Sequence, residues 1–211
     1  MIIDIKKFAK NYNIKIKGVI HIGLHDGNEI YRYIFWGAKN ILGFEPNEKI
    51  FRKLLKKKIV NYLPWVNLDL ENIAVSNQTG ISDFYVTSSD QSSSLLKLKN
   101  HLKIYPDIKE VYSTKVKTDT LNNIFFNKYK IENYNCINMD IQGAELLALK
   151  GSTKILDKID IINTELNFDE LYEGCALAHE IDKFLKFYNF HRVETDLRFH
   201  HTWGDGLYVK K

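Results

Sequence analysis

Arginine is scarce in this 211-residue chain: Arg32, Arg52, Arg192 and Arg198 are all there is. Nucleic-acid binders concentrate arginine, because its planar fork reads phosphates and guanine edges. The net charge of +4 is mild and is carried by lysine. It points to solvated faces, the Lys56-Lys57-Lys58 run among them, and to no nucleic-acid partner. Cysteine is equally sparse. Cys136 and Cys175 match neither a zinc spacing nor a disulfide framework. No apolar run approaches membrane-spanning length, and Met1 to Lys10 lacks the apolar stretch of a signal peptide. These absences predict a reducing, cytoplasmic setting without a membrane partner. Three prolines and no repeat exclude a collagen-like or low-complexity chain.

What is present is a globular balance of 45% hydrophobic and 27% charged residues. That is enough to bury one core, and a single domain is expected over residues 1–211. Short β-rich runs alternate with helical stretches. The pattern predicts an α/β fold: a seven-stranded, mostly parallel, Rossmann-like sheet with an antiparallel last strand and a small β insertion. Helices are expected at Ile3 to Tyr12, Glu29 to Trp36, Lys49 to Lys57, Thr118 to Lys128, Ala144 to Lys150 and Leu177 to Tyr188. Thr118 or Asp119 is the expected cap of the fourth. Main-sheet strands are expected at Gly18 to Gly23, Asn40 to Glu45, Asn72 to Val75, Tyr134 to Asp140 and Ile159 to Glu165. A closing hairpin follows, of about His191 to Glu194 and Gly206 to Lys210. Ile81 to Val86 and Ser113 to Lys117 alternate like antiparallel strands and read as the insertion, with the polar loop Ser88 to Asn100 between them.

Open parallel sheets bind ligands at the carboxyl ends of their strands. Gly23 and Gly27 follow the first strand, while Glu45, Asp140 and Glu165 end the second, fourth and fifth. A charge after an apolar run is costly unless a cation, metal or ligand meets it, so three such acids mark a site. The turn from His21 to Gly27 contains G-x-x-x-G, which lets the backbone approach a ligand at positive φ. It is not the G-x-G-x-x-G of the NAD fold. A carboxylate ending the second strand is placed to accept both hydroxyls of a ribose. Glycine turn plus acid fits adenosine binding in NAD enzymes and in S-adenosylmethionine (SAM) enzymes alike, and the reversed last strand favours SAM. His21 and His25 stand at i and i+4, but one lies in a strand and the other in a turn, so zinc is not expected. Asp140 with Glu165 leaves a Mg²⁺ site open as a minority reading, since hard cations prefer carboxylate oxygen.

Several segments carry a family resemblance. They are Val19-Ile-His-Ile-Gly-Leu-His-Asp-Gly-Asn-Glu29, Gly43-Phe-Glu-Pro-Asn47, Asn72-Ile-Ala-Val-Ser76, Ser92-Ser-Ser-Leu-Leu96, Met139-Asp-Ile-Gln-Gly-Ala-Glu145, Leu149-Lys-Gly151 and Trp203-Gly-Asp205. Together they span nearly the whole chain and resemble the FkbM-type methyltransferases of the class I SAM-dependent fold. The D-x-Q-G-A-E block is the most specific part. The resemblance implies SAM as cofactor, with His21, Gly23, Gly27 and Glu29 around its methionine end and Glu45 on its ribose. Asn72 and Ile73 are the expected adenine contacts, and Asp140 borders the cofactor. Many members carry Asp where this chain has His21, so Glu29 is the candidate for the acidic contact to the SAM amino group. The implied acceptor is a small hydroxylated molecule, most often a sugar.

The expected reaction is O-methyl transfer, with Asp140, Glu165, His200 or His201 as the general base or its orienting partner. Ser93, Ser94, Tyr172 and Trp203 are expected to line the acceptor pocket. Gln142 and Glu145 are ambiguous, because Glu145 sits in a first helical turn where a carboxylate is favourable anyway. A deoxysugar such as rhamnose, free, nucleotide-linked or in a glycan, is the leading example of an acceptor. A nucleic-acid methyltransferase is a rival, but the position of its D/N-P-P-Y segment reads Asp140-Ile-Gln-Gly here, and Cys136 lacks a preceding proline. A non-catalytic SAM-binding domain is kept open by His21. An NAD-dependent oxidoreductase needs a glycine pattern that the chain lacks.

Overall fold

The computed structural model describes residues 3–57 and 65–211, so Lys58 of the lysine run lies outside the described residues. At its centre is β1 (Gly18–Ile22), buried at every position. It pairs in parallel with β2 (Asn40–Phe44) on one side and β7 (Cys136–Met139) on the other. β3 (Asn67–Glu71) extends the sheet beyond β2, and β8 (Ile161–Asn167) extends it beyond β7, both in parallel. β10 (Trp203–Lys210) then inserts antiparallel between β8 and β9 (Phe190–His200). The order is β3-β2-β1-β7-β8-β10-β9, the expected seven strands with the last one reversed.

Alternation along the strands supplies two cores. Val19, Ile41, Cys136 and Ile161 face one side, where α1 (Ile5–Asn11), α2 (Ile30–Phe35) and α3 (Glu48–Leu55) cover them with Ile5, Ile30 and Leu54. Ile20, Leu42, Ile137 and Ile162 face the other side. There Leu121, Leu149 and Ile181 cover them from α5 (Leu121–Asn127), α6 (Glu145–Lys150) and α7 (Ala178–Phe187). Helices on both faces of a parallel sheet leave the strand ends as the open edge. Among the described residues no helix is long and apolar enough to cross a membrane.

The insertion forms a separate three-stranded sheet. β5 (Gly80–Thr87) pairs antiparallel with β6 (Glu110–Asp119), and the short β4 (Ala74–Val75) pairs in parallel with β6. Between β5 and β6 the chain makes a long excursion that holds α4 (His101–Ile104).

Four boundaries differ from the sequence reading, one being that β8 runs on to Asn167 so that Glu165 lies inside it. The third main-sheet strand is Asn67–Glu71 and not Asn72 to Val75: Leu68 and Leu70 alternate with polar residues as on a half-exposed edge strand, while Ala74 and Val75 turn away into the small sheet. The cap of α5 is Thr120, whose hydroxyl accepts the Asn123 N–H at 3.0 Å; neither Thr118 nor Asp119 caps it. The closing strands are much longer than expected and meet in a tight turn, so Arg198 to Gly204 is mostly strand and not a rim loop.

Candidate active site

The turn after β1 is built from left-handed backbone. Gly23, His25 and Gly27 have φ of 85°, 49° and 73°. A Cβ on Gly23 would stand 2.0 Å from the Asp140 carbonyl oxygen, so only glycine lets β1 and β7 end side by side there. The turn delivers the His25 N–H to Glu45 Oε2 at 2.9 Å, while Glu45 Oε1 accepts the Asn47 N–H at 2.8 Å. Asn47 caps α3, so Glu45 is not the helix cap; it ties the β1 turn to the β2 turn. Glu45 is only 5% exposed. Burial pushes its carboxyl up to about 7, against the pull of the two backbone N–H donors.

Below this edge a polar row crosses the sheet. His21, Asn138 and Asn163 stand abreast on β1, β7 and β8. The Tyr33 hydroxyl hydrogen-bonds His21 Nδ1 at 2.7 Å and accepts from Asn138 Nδ2 at 2.6 Å. Asn163 Nδ2 donates to Asn138 Oδ1 at 2.9 Å. His21 Nε2 lies 3.4 Å from Glu29 Oε2. Burial keeps the His21 pKa below its ordinary value, with Glu29 opposing.

Two residues further along these strands, a second row follows. Asp140, Glu165, Asp205 and Asp196 lie on β7's exit, β8, β10 and β9; Asp205 pairs in register with both Glu165 and Asp196. Gln142 and Gly143 take positive φ (57° and 96°) and turn the Gln142 side chain back over this row. Its Nε2 donates to Asp140 Oδ1 and to Glu165 Oε2, both at 2.7 Å. Its Oε1 accepts the Tyr172 hydroxyl at 2.6 Å, and its backbone carbonyl accepts the Ser94 hydroxyl at 2.8 Å. Burial, then the charges of Asp140 and Glu145, push Glu165 well above the ordinary carboxylate range. The position between the two acids holds an N–H₂ donor where a hard cation needs oxygen. The minority reading of Mg²⁺ on Asp140 and Glu165 gains no support, and among the described residues no group of three or more His, Cys, Asp or Glu is placed to hold a metal.

A second, aromatic set of side chains forms another wall of the same cavity. His101 and Tyr105 come from the insertion, Tyr172 from the segment after β8, and Phe199 and Trp203 from the closing hairpin. His101 is 5% exposed and packs on Tyr105 and Tyr172, with ring centroids 5.1 and 5.5 Å away. Phe199 stacks on Trp203 at 5.8 Å and 16°. The two walls enclose a cavity of about 500 Å³, within the range of about 300–1,000 Å³ usual for small-molecule sites.

Of the residues singled out from sequence, Gly23, Glu29, Glu45, Ile73, Ser93, Asp140, Glu165, Tyr172 and Trp203 line this cavity. Six others do not. His21 is sealed in the row below and reaches the cavity only through Glu29. Gly27 packs against Leu54, where a Cβ would meet a methyl group at 2.6 Å. Asn72 donates to the Glu45 and Pro46 carbonyls and so holds the β2 turn. Ser94 is buried on Gln142. His200 Nδ1 is held by Thr202 in the hairpin turn at 2.7 Å, and His201 is exposed beside it. Neither histidine lines the cavity, since the strands run on to the turn itself. Glu145 is structural: it is buried and accepts the Ile141 N–H at 3.0 Å. Sequence reasoning missed His101, Tyr105, Asp196 and Phe199, and it left Asp205 without a role.

The donor set suits SAM. Glu45 offers carboxylate oxygens for a diol, Phe44, Ile73 and Val75 offer apolar flanks for a base, and Glu29 offers a carboxylate for an amino group. Fold and site together define a class I methyltransferase. A family model for the methyltransferase FkbM domain matches residues 21–192, and the chain belongs to that family. The chain is 29% identical over 164 residues to the 2-O-methyltransferase NoeI of Sinorhizobium fredii (strain NBRC 101917 / NGR234). That match covers 74% of this chain and spans 65% of the relative's length. Among solved structures, the methyltransferase FkbM from Methylobacillus flagellatus KT superposes with a TM-score of 0.57 at 12% identity, over 92% of this chain and 44% of that one. Magnesium protoporphyrin IX methyltransferase (ChlM) from Synechocystis PCC 6803, with bound SAH, gives 0.51 at 9% identity, over 99% and 80%.

Proposed function

We propose that the chain is a SAM-dependent O-methyltransferase acting on a hydroxyl of a small hydroxylated acceptor, a sugar above all. The meeting of Glu45 with the Asp140–Gln142–Glu165 group on one cavity carries this reading. When bound, SAM supplies an electrophilic methyl group to the acceptor oxygen. Glu45 holds the ribose, Gly23 allows close approach of the backbone, and Glu29, braced by His21 and Asn138, holds the amino end. Gln142 fixes Asp140 and Glu165 side by side, and the Asp140 carboxylate takes up the proton of the acceptor hydroxyl. Most of the rate comes from positioning, and the proton acceptor adds about 10²–10⁴-fold. The stacked Phe199 and Trp203 beside carboxylates suit a sugar ring, which offers apolar C–H faces and a rim of hydroxyls. A deoxysugar such as rhamnose is a natural first acceptor to try, and the relative's 2-O-methyltransferase name agrees in kind. Two free cysteines are consistent with a reducing, cytoplasmic setting.

Calorimetry with S-adenosylhomocysteine (SAH) tests the first half, and SAH release from SAM over a panel of methyl glycosides tests the second. Binding plus turnover is expected. No SAH binding sinks the reading. Binding without turnover on any hydroxylated acceptor favours a non-catalytic SAM-binding domain.

A further inference from the structure

The charge on the cavity is opposite to the charge on the protein. The chain as a whole carries +4. Among the described residues neither lysine nor arginine lines the cavity, whereas Glu29, Glu45, Asp140, Glu165, Asp196 and Asp205 all do. Two cations reach its rim acids from outside: Arg198 Nε donates to Asp196 at 2.9 Å, and Lys57 pairs with Asp26 at 3.2 Å.

The acids are also crowded, and burial together with the charges of Asp140 and Glu145 pushes the Glu165 carboxyl well above its ordinary range. Glu165, Asp205 and Asp196 are directly opposite one another on three adjacent strands, and residues opposite in an antiparallel pair point to the same face. Like charges directly opposite destabilise a sheet. Compensating charge reaches the row from the rim, where Arg198 pairs with Asp196 and also attracts Asp205. The aromatic wall is neutral, and burial holds the His101 imidazole below its ordinary pKa. An anion entering this cavity meets repulsion from the sheet and no basic partner from the wall.

From this arrangement we infer that the acceptor carries no negative charge: it is a hydroxylated ring without phosphate or carboxylate. The inference rests on the methyltransferase reading and narrows it. A nucleoside-diphosphate sugar or a sugar acid is disfavoured, while a plain glycoside fits. Methyl transfer then follows the glycosyl-transfer reaction that releases the sugar from its nucleotide carrier.

Two measurements on the full chain test this. First, the SAH-loaded protein is titrated with inorganic pyrophosphate, UDP and dTDP by calorimetry. No saturable binding at millimolar concentration is expected, and saturable binding of any of them overturns the inference. Second, turnover is compared between matched neutral methyl glycosides, nucleoside-diphosphate sugars and hexuronates. The neutral compounds should lead in kcat/KM by at least about tenfold, and equal or better use of an anionic partner overturns the inference. If SAH binds and no panel member is methylated, the titration alone decides. If SAH does not bind, the methyltransferase reading fails instead, and the same titration of the free protein still reads the charge of the cavity.

Discussion

The wall that carries Gly23, Glu45, Asp140 and Glu165 is made of the parallel strands at and near their carboxyl ends, whereas the wall that carries His101, Tyr105 and Phe199 is made of an insertion and a hairpin. On the first wall each side chain is fixed by sheet register and by bonds to backbone: two N–H groups hold Glu45, and one amide holds Asp140 and Glu165 together. On the second wall the groups are fixed by ring packing, and the buried Nδ1 of His101 and Nε1 of Trp203 have no hydrogen-bond partner. Unpaired buried polar atoms are costly. The difference teaches a division of labour: the strand wall is held by sheet register and backbone bonds and suits a constant cofactor, while the aromatic wall is held by ring packing and suits the acceptor.

The sharpest way to break this division is Asp140→Asn. Turnover should fall by about 10²–10⁴-fold while the calorimetric Kd for SAH changes little. Activity within a few-fold of wild type would remove Asp140 from the chemistry. Next comes Gly23→Ala. The added methyl meets a backbone carbonyl and the residue must hold φ of 85°, so a stability loss of about 3 kcal/mol or more is expected in denaturant melts. An unchanged melt would mean that the strand wall is not rigid.

A third prediction concerns pH. In the free protein Glu45 titrates near 7. Its ionised form is the one that accepts two ribose hydroxyls, so protons compete with the cofactor. SAH affinity should weaken by about tenfold as pH falls from 8 to 6 and level off above neutrality. A flat profile would argue that Glu45 does not meet the ribose. The smallest effect is expected from Tyr172→Phe, which removes the hydroxyl that Gln142 accepts at 2.6 Å. About 1 kcal/mol should be lost, seen as a higher acceptor KM with unaltered SAH binding. A weakened SAH Kd with unaltered acceptor KM would place Tyr172 on the other wall.

The same division governs what could be read from sequence. Glu45 and Asp140 follow apolar runs directly, so strand, end and acid appear together in the chain. Glu165 sits inside β8, not at its end, but it shares a face with Asn163, and that alternation signals it just as well. The aromatic wall has no such signature. His101 lies in a four-residue helix within a long excursion, and it meets Tyr172 only through tertiary packing. Asp196 and Phe199 belong to a hairpin whose strands run far past the apolar stretches that suggested them, so their register with β10 is not visible locally. Paired histidines attracted attention as a general base, yet His200 is spent on the turn. Asn72 lies in the link between β3 and β4, not in a main-sheet strand, and from there its side chain reaches the β2 turn.

A crystal structure with SAH tests the central claim most directly. The account predicts the ribose hydroxyls on the Glu45 carboxylate, the amino group beside Glu29, and open space left between the sulfur and the wall of His101, Tyr172 and Trp203. A ribose held elsewhere, or an SAH that fills the aromatic wall itself, would contradict it.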